Sequence, residues 1–226
     1  KDLQFINSKL VETVKNDKIL VTIDVSEGEK YFVERINIIG NTVTEDNVIR
    51  GELEVDEGDP YSLLLLDKSI NKIKSRNIFG NVNKNIYQGS SPDLKVVTIE
   101  VEEKSTGEIF AGAGVGTSGG TLGGGVKENN FLGRGVKLDV NLQFSETAIR
   151  GKFSVINPNY NYSGNEIRFT AESTRTSKMS TFGYDSSKTG FSLGTTFEQY
   201  EDIFISPGLS TYYESLSTND NASKAL

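Results

Sequence analysis

Hydrophobic and polar positions alternate along this chain in two different ways, and the change falls near Gly107. Residues 134–144 read RGVKLDVNLQF. In a strand, Val136, Leu138, Val140, Leu142 and Phe144 share one face, and Lys137, Asp139, Asn141 and Gln143 take the other. After Gly107 this period of two recurs in seven segments: 108–117, 120–129, 134–144, 148–156, 165–175, 189–199 and 203–214. No helical period interrupts them. Of the 23 glycines, 6 precede Gly107 and 17 lie from it onward, so this half is all strand and turn.

Before Gly107 the periods mix. Residues 3–14 and 18–26 read as two strands joined at Asn16-Asp17, with Ile19, Val21, Ile23 and Val25 on one apolar face. A lone hairpin is marginal, so this pair completes a domain that begins upstream, and the chain reads as an internal fragment. A fuller unit follows. Tyr31 to Ile39 is a strand ending at Gly40-Asn41, and Thr44 is placed to cap a helix reaching Arg50 or Leu53. A second helix spans Ser62 to Ile78, with Leu63, Leu66, Ile70, Ile73 and Asn77 or Ile78 on one stripe, and stops at Gly80 or Asn81. Strands Val82–Gln88 and Leu94–Glu102 close a β-α-α-β-β unit, one small sheet with two helices on a single face.

Composition narrows the function. No stretch approaches the ~20 apolar residues of a membrane helix, but hydropathy is blind to a membrane barrel, whose strands face lipid with alternate residues only. A net charge of −7 with no basic cluster argues against nucleic acid as a partner. With neither cysteine nor histidine, thiolate nucleophiles, the usual zinc ligands and histidine proton shuttles are absent, and no enzyme, metal or cofactor is expected. Gly114-Val115-Gly116-Thr117-Ser118-Gly119 matches G-x-G-x-x-G, but Gly120-Thr121-Leu122-Gly123-Gly124-Gly125 follows where a helix must start, so no nucleotide is expected. Asp56–Asp59 lacks the ligand ladder of a calcium loop.

Two surfaces carry the functional reading. The segments after Gly107 match the ~9–11 residues needed to cross a bilayer at a tilt. Alternate connections, NNFLGRG, NPNYNYSGN and EQYED, mass Phe131, Tyr160, Tyr162 and Tyr200 at one end, the pattern of a membrane-interface girdle. The opposite connections include a long polar loop, Arg175–Lys188. In the first strand Ile109, Ala111, Ala113 and Val115 share a face, while Gly112, Gly114 and Gly116 thin the other, leaving few cross-strand contacts. The barrel seam that this strand closes is therefore expected to be weak. In the preceding unit, Val82 to Gln88 is short, charged and asparagine-rich. It reads either as a protected edge or as one that accepts a visiting strand.

A β-α-α-β-β unit followed by GEIFAGAGVGTSGG, KENNFLGRG and KFSVINPNYNYSGN resembles the BamA family of outer-membrane protein assembly factors. The resemblance implies an α+β POTRA domain followed by part of an antiparallel up-and-down transmembrane β-barrel. It divides the chain into 1–30, the end of one POTRA domain; 31–106, the last POTRA domain; and 107–226, the first barrel strands. It further implies a lateral-gate strand, Ile109, Phe110, Ala111, Gly112, Ala113, Gly114, Val115 and Gly116, and a POTRA client-binding edge, Val82, Asn83, Lys84, Asn85 and Ile86. The implied partners are unfolded outer-membrane proteins, accessory lipoproteins and outer-membrane lipid, with the POTRA part in the periplasm. The family's upstream POTRA domains, most barrel strands and its Arg-Gly-Phe loop are missing, so this fragment alone is not expected to insert clients. A translocation or two-partner secretion relative of the same architecture, a passive porin with a periplasmic domain, and a soluble β-rich binding protein remain alternatives.

Overall fold

The structure, a computed structural model, describes residues 6–15, 18–27, 29–116, 119–200 and 203–222. It divides into two compact units. The first comprises residues 1–40, 52–75 and 81–102; the second comprises 41–51, 76–80 and 103–226.

In the first unit, strands β1 (Ile6–Lys15) and β2 (Lys18–Glu27) pair antiparallel from Ile6↔Glu27 to Lys15↔Lys18. The expected turn at Asn16-Asp17 lies outside the described residues. Leu10, Ile19, Leu20, Val21, Ile23 and Val25 are all exposed. A three-stranded sheet follows, ordered β3 (Phe32–Ile39), β5 (Leu94–Glu103), β4 (Phe79–Gln88), with β3 parallel to β5. Alternation along β5 buries Val97, Ile99 and Val101, and Val82 of β4 joins them, while β3 buries Val33 and Ile36, three positions apart because the register shifts between Val33 and Arg35. Helix α2 (Leu63–Ser75) adds Leu66, Ile70 and Ile73 to the buried set at its 3.6-residue period. Burying each such side chain contributes about 1.5–3 kcal/mol.

Several expectations need correction here. Leu63 is 50% exposed, because Ser62 precedes the helix and its Oγ accepts the Leu65 N–H at 3.2 Å, which leaves the first turn facing water. The inward place on that stripe goes to Ser69, whose Oγ donates to Leu65 O and accepts Glu54 N–H, both at 2.8 Å. The helix stops at Ser75 rather than at Gly80 or Asn81, because Asn77 takes a left-handed φ of 57° and β4 has begun by Phe79. The first helix, α1 (Asp46–Arg50), is one turn long. Its capping position is Glu45, without a side-chain cap, so Thr44 is not the cap.

In the second unit the wall strands are β6 (Gly107–Gly116), β7 (Gly119–Phe131), β8 (Val136–Ser145), β9 (Ala148–Asn157), β10 (Glu166–Lys178) and β11 (Tyr184–Tyr200), followed by β12 (Ile203–Ile205) and β13 (Gly208–Thr218). Each pairs antiparallel with its predecessor, except that β12 and β13 share the far edge of β11. The expected strand 203–214 is thus split at Ser206-Pro207, where proline cannot donate to the ladder. The expected long loop at Arg175–Lys188 is mostly strand. Pairing runs from Arg175↔Ser187 to Lys178↔Tyr184, and a single helical turn, α3 (Met179–Phe182), makes the connection. Serine, threonine and lysine there look loop-like in sequence, yet the ladder continues through them, with β13 paired to β11 as far as Tyr184↔Thr218.

Strand register decides what the wall presents. One row joins Ile109, Val126, Val140, Phe153, Ala171 and Phe191; another joins Ala113, Leu122, Phe144 and Ile149. The opposite face carries Glu108, Lys127, Asp139, Ser154, Thr170 and Ser192 in one row, and Asn141, Lys152 and Glu172 in another. Along these rows, from β6 to β11, one face is therefore mainly apolar and the other mainly polar. Along β8 the apolar set from Val136 to Phe144 covers about 27 Å of strand, or about 20 Å along the normal at a ~40° tilt, comparable to the ~25 Å apolar band of membrane barrels. No described helix is long and apolar enough to span a membrane.

Candidate functional site

The first wall strand, β6, lies at the edge of the sheet. Among the described residues it pairs with β7 alone, from Gly107↔Glu128 to Gly116↔Gly119. Its outward residues stand clear of neighbours: Ile109 is 85% and Val115 93% exposed. Ala111 and Ala113 between them add little bulk. On the polar face Gly112, Gly114 and Gly116 have nothing within 4 Å of where a Cβ would sit. Phe110 is the one large side chain directed to that face. Its ring covers Gly125, where any Cβ would collide with the ring, and Lys127 Nζ lies 5.2 Å from the ring centroid. The side-chain contacts of β6 therefore gather at its first four residues, and the rest is held by backbone hydrogen bonds.

That first end is anchored by contacts absent from the sequence reading. The β7–β8 turn, Asn130 to Gly135, folds on itself: Gly133 N–H donates to Asn130 O at 3.0 Å, and Gly135 N–H to Asn130 Oδ1 at 2.7 Å. Leu132 (φ 57°) and Gly133 (φ 74°) are both left-handed. At Gly133 a side chain would strike the Val43 carbonyl, so glycine is required by space as well as by φ. The segment 41–51 docks on this turn. Glu45 N–H donates to Gly133 O at 2.8 Å, Asn130 Nδ2 donates to Thr44 Oγ1 at 2.9 Å, and Arg134 Nε meets Glu45 Oε1 at 3.2 Å. Arg76 Nη2 donates to Gly135 O at 2.8 Å, and Asn159, in the β9–β10 turn, donates through Nδ2 to Gly51 O at 3.2 Å.

Glu103, the last residue of β5, belongs to the same junction. Its carboxylate accepts the N–H groups of Thr42, Val43 and Thr44 at 3.0, 2.9 and 2.6 Å, and the Thr42 hydroxyl at 2.6 Å. Partial burial works to raise its pKa, but the Thr42 and Thr44 side chains and the Thr44 and Val43 backbone N–H groups outweigh it and hold the carboxyl at about 2. Successive backbone N–H groups converging on one anion form a nest, here occupied by the chain's own side chain.

The other expected residues fall as follows. Val82, Asn83, Lys84, Asn85 and Ile86 lie in β4, at the edge of the three-stranded sheet. Val82 is buried, Ile86 is exposed, and Lys84 pairs with Asp67. Phe131 ends β7, Tyr160 and Tyr162 occupy a 3-10 turn between β9 and β10, and Tyr200 ends β11. All four are exposed at connections on the same end of the wall. The strand β7 follows the G-x-G-x-x-G stretch where a nucleotide fold would need a helix. No cluster able to hold a metal occurs among the described residues. The sequence reading missed Glu103, Asn130, Arg134 and Asn159. Two of the turns that carry the resemblance hold three of them, but their partners in 41–51 lie more than 80 residues away.

A family model described as POTRA, surface antigen variable number repeat, matches residues 31–104. The chain is 30% identical over 142 residues to the outer membrane protein assembly factor BamA of Neisseria meningitidis, covering 62% of this chain and 18% of that protein. It is 30% identical over 193 residues to a putative outer membrane protein assembly factor of Treponema pallidum, covering 83% of this chain and 23% of that protein. It therefore spans less than a quarter of either relative. Among solved structures, BamA from Haemophilus ducreyi lacking POTRA domains 1–3 superimposes with a TM-score of 0.71 at 20% identity, over 94% of this chain and 41% of that one. CdiB from Acinetobacter baumannii gives 0.57 at 12% identity, over 96% and 43%, a likeness of fold.

Proposed function

Because this chain belongs to the BamA family of outer-membrane protein assembly factors, we propose that its wall strand β6 templates the insertion of client strands at a lateral gate. The wall is part of an outer-membrane β-barrel and the POTRA region is periplasmic. In this reading residues 1–30 close a preceding POTRA domain, 31–106 are the last POTRA domain, and 107–226 are the first barrel strands. Unfolded outer-membrane proteins first meet the β4 edge at Val82–Ile86, and accessory lipoproteins dock on the POTRA region. A client strand then pairs with β6. Backbone hydrogen bonds are exchanged one for another, so no covalent step and no nucleotide is required. Lipid offers no partner for a free N–H or C=O, so strand-by-strand exchange is the route that leaves none unmade. Phe131, Tyr160, Tyr162 and Tyr200 anchor the periplasmic rim in the interface.

The observation that carries this reading is β6 itself, whose polar face is thinned by Gly112, Gly114 and Gly116, with nothing within 4 Å of where a Cβ would sit. The test uses the full-length protein in its native membrane, with cysteine at Ala111 or Ala113 and a stalled client carrying cysteines along its terminal strand. Crosslinks at β6 are expected. Crosslinks confined to β8–β10 would sink the gate.

A further inference from the structure

We propose that Arg175 is a lipid-headgroup site: on the lipid-facing side of the wall, at the outer edge of its apolar band, the guanidinium takes the phosphate of an anionic outer-leaflet lipid. The proposal rests on the wall facing outer-membrane lipid and is independent of the gate. Arg175 lies in β10 with paired strands on both sides, so the ladder settles its face. The apolar row Ala113, Leu122, Phe144 and Ile149 continues into Arg175, Ser187 and Ser215. Two steps nearer the periplasmic end, the same face carries Phe153, Ala171 and Phe191. The row between holds Ser173, Thr189 and Tyr213, and the Ser173 and Thr189 hydroxyls are hydrogen-bonded at 2.8 Å. On β10 and β11 the lipid-facing side therefore passes from apolar through hydroxyl to cationic within two steps.

The level of that change fits a bilayer. Asn165, just before β10, accepts the Tyr160 N–H at 2.8 Å and so marks the aromatic rim. From Asn165 to Arg175 the chain advances about 33 Å along the strand, or about 25 Å along the normal at a ~40° tilt, one apolar band height. Tyr213, one row nearer the rim, is the residue type that sits at an interface. A cation is costly in hydrocarbon and favoured beside anionic headgroups, and the planar guanidinium fork matches a phosphate. No described carboxylate forms an ion pair with Arg175. The acid on the same face, Asp185, lies one row further out and accepts the Ser177 hydroxyl at 2.8 Å. Ser187, directly opposite Arg175 in the ladder, adds a hydroxyl donor for a second phosphate oxygen. The aromatic rim thus holds one end of β10 in its interface, and Arg175 holds the other.

The test uses the full-length protein in phosphatidylcholine nanodiscs, with bimane on its single reactive cysteine, Thr189→Cys, one row from Arg175. Chain-brominated lipid quenches the label from the hydrocarbon side. Brominated phosphatidylglycerol is expected to reach half-maximal quenching at about fivefold lower mole fraction than brominated phosphatidylcholine, the scale of one basic residue beside an anionic headgroup. Arg175→Gln should abolish the preference and Arg175→Lys keep part of it. Lys188→Gln, on the polar face of the same hairpin, should leave it intact. Equal quenching by the two lipids overturns the proposal, as does a preference that survives Arg175→Gln or is lost equally in Lys188→Gln. Loss of the preference in inorganic phosphate at constant ionic strength would assign the site to free phosphate and overturn the lipid. If Arg175→Gln does not assemble, a preference in the unsubstituted protein that high salt fails to weaken overturns the proposal. Quenching by neither lipid would instead sink the reading of this face as lipid-facing. No client is present, so the crosslinking test of β6 stands or falls separately.

Discussion

Thr44 and Asn130 lie 86 positions apart in sequence and are joined by a hydrogen bond of 2.9 Å from Asn130 Nδ2 to Thr44 Oγ1. Thr44 is 3% exposed, so its hydroxyl has left water and is satisfied by Asn130 and by the Glu103 carboxylate. Asn130 also takes the Gly135 N–H through Oδ1, which closes the turn that presents it. One side chain thereby shapes a wall turn and docks the segment 41–51.

Asn130→Ala should remove both bonds, taking the side-chain partner from the Gly135 N–H and leaving the Thr44 hydroxyl to the Glu103 carboxylate alone. A loss of about 1–3 kcal/mol is expected, the cost of leaving a buried polar group unmade. Urea midpoints followed by far-UV circular dichroism would measure it; the chain has no tryptophan to report by fluorescence. A midpoint equal to wild type would show that the junction contributes nothing.

The Glu103 carboxyl has a folded pKa of about 2 against an ordinary 4.5. A depressed carboxyl pKa adds stability that is fully present above the ordinary value and is lost as pH falls toward the folded one. The stability gap between wild type and Glu103→Gln should be constant above about pH 5 and shrink steadily between about 4.5 and 2. Denaturation midpoints across that range provide the check, and a gap that does not change with pH would contradict the nest.

Leu193 lies on the apolar face of β11, in register with Phe169 and Leu209, while Ser192 lies in register with Thr170 and Ser210. Leu193→Arg should cost about 2–4 kcal/mol when the full-length protein folds into lipid, and Ser192→Arg far less, because only the first places a charge in hydrocarbon. Folding yield into vesicles separates them. Equal penalties would mean that the apolar face does not meet lipid.

Gly114→Val has open space around the new side chain. It should stabilise β6 by about 0.5–1 kcal/mol through lower chain entropy and better strand propensity. If a loosely held β6 is what admits client strands, insertion of a test client by the full-length protein in proteoliposomes should slow. Faster insertion by the more stable variant would refute that use of the glycines.

What could be read from sequence was whatever depends on neighbours within one element. Alternation from Val136 to Phe144 placed a strand and its two faces, and the period of Leu66, Ile70 and Ile73 placed a helix stripe, because strand and helix geometry repeat over a few residues. The family was legible in two turns, Asn129 to Gly135, with left-handed backbone at Leu132, Gly133 and Gly135, and the turn that opens at Asn157-Pro158, with left-handed backbone at Asn161, Tyr162 and Gly164. Local reading failed where a distant partner takes over. Thr44 has the chemistry of a helix cap, but its hydroxyl goes to Asn130. Ser, Thr and Lys between Arg175 and Lys188 have the composition of a loop, but the strand opposite keeps them paired. Tertiary structure alone decided the register that merges separate apolar sets into one face, and the carboxylate of Glu103 turned onto three N–H groups about 60 positions earlier. The physical reason is the same in each case: a hydrogen-bonding group takes the partner that the folded chain brings to it, and spacing along the sequence does not encode which partner arrives.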